Sequence, residues 1–547
     1  MNTKFTMKKL LLPVLSLSLL VPTIAGAQTT AMPVAKASVM TPAADLRAGL
    51  DYLLSEHFVL AVNAMIKAYD GSKDAAAAYA ALDQNALDMQ PAIASIYGEA
   101  GAKEFNRIFR AHNKFTDDWV KALKANDMDG MKKAEANLAG FVTEFGNFLG
   151  TATGGKLPAK AAQDAVRLHE EQVQDTFEEY TEGDYADAYK KYREGYSTMF
   201  TISKALSTAI VSQMPEKFAN SKPDTKAADL RSALNSLASE HVALAALEMQ
   251  KKYDGSKDYE AVLNAEKMHT ADFKAAITSI YGQAGGDQFE KIWTANHIAA
   301  QGELADATKR GDAASRTATL NRINAFSTEF GAFLGAATAE NLPTKAAQDA
   351  VRAHEMMVQD TFDKYAAGDY TASYNKFRES YKFMYGVGQN LGNAIVTQFN
   401  DKFQEQAPVT PTEPMAPDAP DMTTVWMKVN SSKLIINGKT TMMDTTPMVW
   451  NNTTYIPLRF LSEGIGANVS WDGKNTVWVK AGNDTLTFWI GKDYMEVNGT
   501  KKMIGSKLMV NKDGRTVVPL RFITELLGWD VKWNTKDWSV TLMKAMN

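Results

Sequence analysis

A long internal duplication constrains this chain more than any other feature. Leu157 to Phe177 reads LPAKAAQDAVRLHEEQVQDTF and returns at Leu342 to Phe362 as LPTKAAQDAVRAHEMMVQDTF, identical at 17 of 21 positions. Tyr-Asp-Gly-Ser-Lys-Asp begins at Tyr69 and again at Tyr253, and Ser-Ile-Tyr-Gly at Ser95 and Ser279. The offset is 184 early in the module and 185 later, which places a one-residue insertion between Phe289 and Gly311. Residues 43–218 and 227–403 are therefore two copies of one module, joined by a short linker at 219–226.

Both copies read as helical. Leu46, Leu50, Leu53, Leu54, His57, Leu60, Ala61 and Ala64 follow the 3.6-residue stripe of a buried helix face. A finer repeat lies inside each module. His57, His112 and His169 each stand 14 residues before Gly71, Asn126 and Gly183, and His241, His297 and His354 stand 14 before Gly255, Gly311 and Gly368. Each unit reads as an αα-hairpin with a histidine in its first arm and a Gly or Asn turn at its tip. A unit of about 56 residues matches none of the common solenoid periods, so three hairpins are expected to close into a bundle, with a stacked solenoid as the alternative.

Six of the seven histidines thus share one repeated position, each about 21 Å from its hairpin tip. First arms running in one direction would hold these rings at one level. One reading is a three-histidine site for a transition metal, or imidazoles facing a haem, built from His57, His112 and His169 and again from His241, His297 and His354. The other is an inherited core position, each ring bonded to a neighbouring carbonyl or carboxylate. Counted without a gap, Asn296 falls in the slot of His112 and His297 one position later; a gapped alignment or a local helix bulge restores the match. His269 aligns with Asn85 and reads as incidental. Glu56, Glu170, Glu240 and Glu355 adjoin histidines in sequence, point about 100° away on the helix, and read as solvated or salt-bridged. Asp88 and Asp272 are candidate acceptors for an imidazole, and Tyr196 and Tyr381 are expected in the interior.

The N-terminus carries an export pattern. Lys4, Lys8 and Lys9 precede the apolar run Leu10 to Leu20, and Ala25-Gly26-Ala27 supplies small residues for cleavage, so residues 1–27 read as a signal peptide and 28–42 as a linker. No later stretch has the length and apolarity of a transmembrane helix. The chain has no cysteine, which excludes a lipid-anchored cysteine, disulfides, zinc–thiolate sites and a thiol nucleophile. A net charge of -4 gives no reason to expect nucleic acid as a partner.

A proline-rich spacer spans residues 404–423, and beyond it the texture changes to Val, Thr, Trp and Tyr with Asn-Gly turns. This region is duplicated too, in halves of about 424–482 and 483–547. Asn437-Gly438 pairs with Asn498-Gly499 as hairpin turns, and the stretch beginning at Tyr455 pairs with that beginning at Val517. Each half reads as a hairpin, a short helix opening near Pro457 or Pro519 and closing at Gly466 or Gly528, then two strands carrying Trp471 or Trp533. Arg459 with Glu463 and Arg521 with Glu525 have the spacing of helical salt bridges, and Trp478 and Trp538 are core aromatics or a glycan or partner surface. The expected architecture is multidomain: two all-α modules, each a helical bundle of three αα-hairpins, and then an α+β domain of two ββαββ-like halves.

The repeated pattern PLRF-x-x-E-x-x-G-x-x-V-x-W, preceded by Asn-Gly-Lys or Asn-Gly-Thr, resembles the copper amine oxidase N-terminal-like domain family, found in exported proteins of Bacillus- and Paenibacillus-type bacteria. The resemblance implies a stalk, not an oxidase. No Asn-Tyr-Asp or Asn-Tyr-Glu stands ready to become a quinone cofactor, and no histidine follows His354. Neither G-x-S-x-G nor H-E-x-x-H occurs. The expectation is a secreted or cell-surface, envelope-associated protein without enzymatic activity. Its helical modules would bind a ligand or an envelope partner, protein or glycan, and the stalk-like domain would position them. The alternative is a metal- or haem-binding protein using the six repeated histidines.

Overall fold

The computed structural model describes residues 36–405, 422–429, 431–450, 453–460, 467–481, 484–503, 507–511, 514–520, 530–534 and 539–545. They fall into two compact units, the helical residues up to 405 and the strand-rich residues from 422 onward. The export pattern, most of the proline-rich spacer, and the residues Glu463, Gly466, Arg521, Glu525, Gly528 and Trp538 lie outside the described residues.

The first module is built from α1 (Pro42–Asp70), α2 (Ala75–Ala125), α3 (Met128–Ala152), α4 (Ala159–Glu182) and α5 (Tyr185–Gln213). Gly98, with φ 75° and ψ 174°, breaks α2 into two segments, so the module has the six helical arms of three hairpins. The second comprises α6 (Lys226–Asp254), α7 (Tyr259–Trp293), α8 (Ala299–Arg310), α9 (Ala313–Ala337), α10 (Thr344–Ala366) and α11 (Tyr370–Gln398), with the matching break at Gly282. The hairpin tips fall where the 14-residue spacing puts them. Gly71, Asn126, Gly183, Gly255 and Gly311 are left-handed helix caps, and Gly368 also has positive φ. At four tips an aspartate follows at once, and Asp127, Asp184, Asp312 and Asp369 accept from a backbone N–H of the next helix. Each module closes on itself, α5 returning to α1 and α11 to α6. The inserted residue of the second copy is taken up by a π-helical turn, Thr294–Ile298, which brings His297 back into the slot of His112.

The two modules share one hydrophobic core, in which Phe58, Val62, Tyr192 and Tyr196 meet Val242, Leu244, Tyr374 and Tyr381. Contacts across it are reciprocal. Tyr189 donates to Asp258 and Tyr374 to Asp74; Arg47 pairs with Asp229 and Arg231 with Asp45. Each copy presents the same surface to the other, the arrangement of a two-fold dimer built within one chain. For this reason α1 and α6 are buried nearly all round.

In the C-terminal unit, the Asn437-Gly438 and Asn498-Gly499 turns both have positive φ and close tight hairpins as expected. The two halves interlace. Strand Met422–Lys428 pairs with Lys433–Ile436 of its own half and with the last strand, Ser539–Ala545, of the other. Thr476–Ala481 pairs with Asp484–Trp489 across the boundary between the halves, and Thr453–Pro457 with Thr516–Pro519. Every sheet therefore draws strands from both halves. Trp478 is half-buried, while Trp471 is 60% exposed.

Candidate metal centre

The histidines converge. His57 comes from α1, His112 from the second segment of α2, and His169 from α4, the first arms of the three hairpins. Their ring centres lie 5.1 Å (His57–His112), 5.7 Å (His57–His169) and 6.5 Å (His112–His169) apart. In the second copy His241 on α6, His297 on the π turn and His354 on α10 give 4.7, 5.3 and 6.1 Å. Within each trio one ring nitrogen per residue lies within 4.8 Å of the other two, close to the span of a single coordination sphere. All six residues are buried.

The carboxylates follow a different plan from the one their sequence positions suggest. Glu170 and Glu355 are not solvated: they are buried with the histidines, Glu170 Oε1 at 3.7 Å from His112 Nε2 and Glu355 Oε1 at 3.0 Å from His297 Nδ1. The trio sits in the groove between helices, so neighbours on α4 or α10, about 100° apart, both border it. The signal was present in the repeated pairs His169-Glu170 and His354-Glu355. Asp88 and Asp272, read as imidazole acceptors, turn away and accept instead from Arg378 and Arg193. Glu56 and Glu240 are buried ion-pair partners of the same two arginines. Tyr196 and Tyr381 are buried in the core the modules share, their hydroxyls bonded to Ser239 and Ser55. His269 is not incidental: it lies fully buried beside His241, and its Nε2 bonds Leu237 O at 2.8 Å, a place Asn85 fills in the first copy by donating to Leu53 O.

The environment is apolar. His112 stacks on Phe141 at 4.3 Å and His297 on Phe326 at 4.4 Å. A cavity of about 90 Å³, lined by Leu53, Phe105, Phe145 and Val166, adjoins the first trio, and one of about 50 Å³ adjoins the second. Burial, which disfavours the charged ring, pushes His112 down to about 4 and His169, His297 and His354 to about 3, and drives His57 and His241 well below the usual range. The neighbouring Asn85 amide opposes the shift at His57 but is not in hydrogen-bonding geometry with it. The rings are accordingly neutral at physiological pH, the form that binds metal. Burial raises the carboxyls instead, Glu170 to about 8.

Several of these groups lack partners. Both nitrogens of His57 and His354, Nδ1 of His169, and Oε1 of Glu170 and Glu355 have no hydrogen-bond partner among the described residues. His297 Nδ1 is close to Glu355 Oε1, but the two are not aligned as donor and acceptor. Each such atom costs about 1–3 kcal/mol in a protein interior. Three imidazole nitrogens and a carboxylate oxygen form a donor set suited to a divalent first-row transition ion. In the second trio His241 Nε2 and His297 Nε2 are hydrogen-bonded at 2.8 Å, which leaves no room for a haem between those two rings.

Comparison with known proteins bears on the C-terminal unit. Residues 420–479 and 435–542 match the copper amine oxidase N-terminal domain family. The C-terminal unit therefore carries the non-catalytic, stalk-like domain of those oxidases, as the PLRF repeat implied. The helical unit lies outside that match. No curated protein and no solved structure matches the chain. Among the described residues no helix is long and apolar enough to cross a membrane.

Proposed function

We propose that this protein is an exported, non-enzymatic metal-binding protein of the cell envelope. Each helical module holds a divalent transition ion such as zinc, through His57, His112, His169 and Glu170 in the first and His241, His297, His354 and Glu355 in the second. The stalk-like domain positions the helical unit and contacts an envelope partner, protein or glycan. The observation that carries this reading is the pair of buried trios in which both nitrogens of His57 and His354, Nδ1 of His169, and Oε1 of Glu170 and Glu355 have no hydrogen-bond partner among the described residues. An inherited core histidine would be expected to bond a carbonyl, as His112 does with Phe109 O at 2.7 Å, and His57 and His354 do not. The lysine-led apolar run and its small-residue end support export.

Elemental analysis of purified protein tests this, alongside a variant carrying H57A, H112A and H169A. The expected result is bound metal that falls by one ion per chain in the variant, with helical content retained by circular dichroism. Metal-free protein after exposure to zinc, with a variant that is merely less stable, would return the histidines to a structural role.

A further inference from the structure

His241 presents its two ring nitrogens to two different groups. Nε2 lies 2.8 Å from His297 Nε2, within the three-histidine cluster. Nδ1 lies 3.0 Å from Glu266 Oε1. His269 completes the second group. Its Nε2–H donates to Leu237 O, which leaves Nδ1 as a lone pair 3.8 Å from Glu266 Oε1. One donor atom from each of His241, Glu266 and His269 lies within 4.8 Å of the other two. Glu266 and His269 are 0% exposed, as is His241. A simple hydrogen bond from His241 to Glu266 would orient the ring, but it leaves Glu266 Oε2 and His269 Nδ1 without a partner among the described residues. An ion between these three side chains engages the buried atoms that the hydrogen bond leaves idle. The first module cannot do this, since Leu82 and Asn85 stand in the places of Glu266 and His269, and the Asn85 amide donates to Leu53 O and Glu56 Oε2.

We propose that the second module binds a second divalent ion at His241, Glu266 and His269, bridged to its first ion by the His241 ring. The inference rests on the metal-binding reading above. On binding, the ring loses its N–H proton to solvent, and each nitrogen of the resulting imidazolate donates to one ion. The imidazolate with the Glu266 and Glu355 carboxylates offsets most of the charge of two divalent ions, which suits a buried site. The chain then takes up three ions: one alone in the first module and a coupled pair in the second.

Copper(II) is the probe, added to the purified full chain and dialysed, with the ion count read by elemental analysis and the spins by electron paramagnetic resonance. The expected result is three coppers per chain, of which one gives the full signal of an isolated ion, because exchange through the bridging ring silences the pair. E266L/H269N, which installs the first module's own residues, is expected to bind two coppers, both visible. E266Q, which keeps the side chain's shape, is expected to lose the silent pair too. Two fully visible coppers in the unmodified chain, or three in E266L/H269N, would overturn the bridged site while leaving the three-histidine sites standing. A chain that binds no copper would overturn both.

Discussion

Arg193 of the first module donates from Nε to Glu240 of the second at 2.7 Å, and both side chains are buried. The relationship is repeated in reverse by Arg378, which donates to Glu56 at 2.9 Å. Asp272 and Asp88 complete the two clusters at 2.8 and 2.7 Å. Six helices from two repeats are thereby pinned in register by two symmetric knots of charge.

Removing one partner of such a knot leaves the other charge buried and alone. R193M and R378M are each expected to destabilise the helical unit by about 3–5 kcal/mol. R193M/E240L, which removes both charges, should recover much of that loss. Urea midpoints followed by helical circular dichroism check both statements. A double-variant loss equal to the sum of the losses from R193M and E240L alone would show that the pair has no coupling.

Asp51 is buried between the modules, accepting from Ser203 and Ser232, and its equivalent in the second copy is the neutral Asn235. Burial raises its carboxyl from 3.8 to about 6, against the opposing pull of Arg47. A carboxyl raised in the folded state holds its proton better there than when unfolded. Its contribution is thus most favourable below about pH 4 and is lost as the pH climbs through about 6. D51N removes that loss. The variant is expected to exceed the natural chain by roughly 3 kcal/mol at pH 8, with the difference vanishing near pH 4. Denaturant titrations at the two pH values read it directly.

The π turn at Thr294–Ile298 absorbs one extra residue. Deleting Asn296 is expected to convert that turn to an ordinary α-helix like the equivalent stretch of α2, with His297 still in its cluster. Thermal stability should change by only a few degrees, corresponding to about 1 kcal/mol, and metal stoichiometry should not change. The regular helix just beyond has no such slack. Deleting Glu303 from α8 is expected to rotate the tip of that helix by about 100° and to cost several kcal/mol. Thermal melts of the two deletion variants, followed side by side, check the contrast.

Glu170 and Glu355 border the histidine trios and are the carboxylates of the proposed sites. E170Q and E355Q are expected to weaken zinc at their own module by about 10–100-fold and leave the other module unchanged, as measured by competition with a chelator. An effect on both modules at once would point to a general loss of packing.

Repetition made much of this molecule legible in one dimension. Duplicated segments share helices, turns and caps because those depend on neighbours a few residues apart. The Gly and Asn tips, the Asn-Gly hairpins and the rise from each tip to its histidine could therefore all be read directly, as could an extra residue near His297; that a π turn absorbs it is seen only in the structure. The convergence of three first arms followed from closing the hairpins into a bundle.

The side of a helix on which a charge finds its partner depends on what lies across from it, and that is where periodicity stops. Helical spacing alone sends Glu170 and Glu355 toward solvent, about 100° from a buried histidine, yet the groove between helices is wide enough to take both. Asp88, Asp272, Glu56 and Glu240 belong to arginines of the opposite copy, which no pattern within one repeat can display. The sequence by itself determined the helices, their turns and the level of each imidazole, because these are local. Only the tertiary structure decided that the copies face one another as a two-fold pair, and that Glu266 and His269 gather on the far nitrogen of His241, because both depend on which surfaces are buried together.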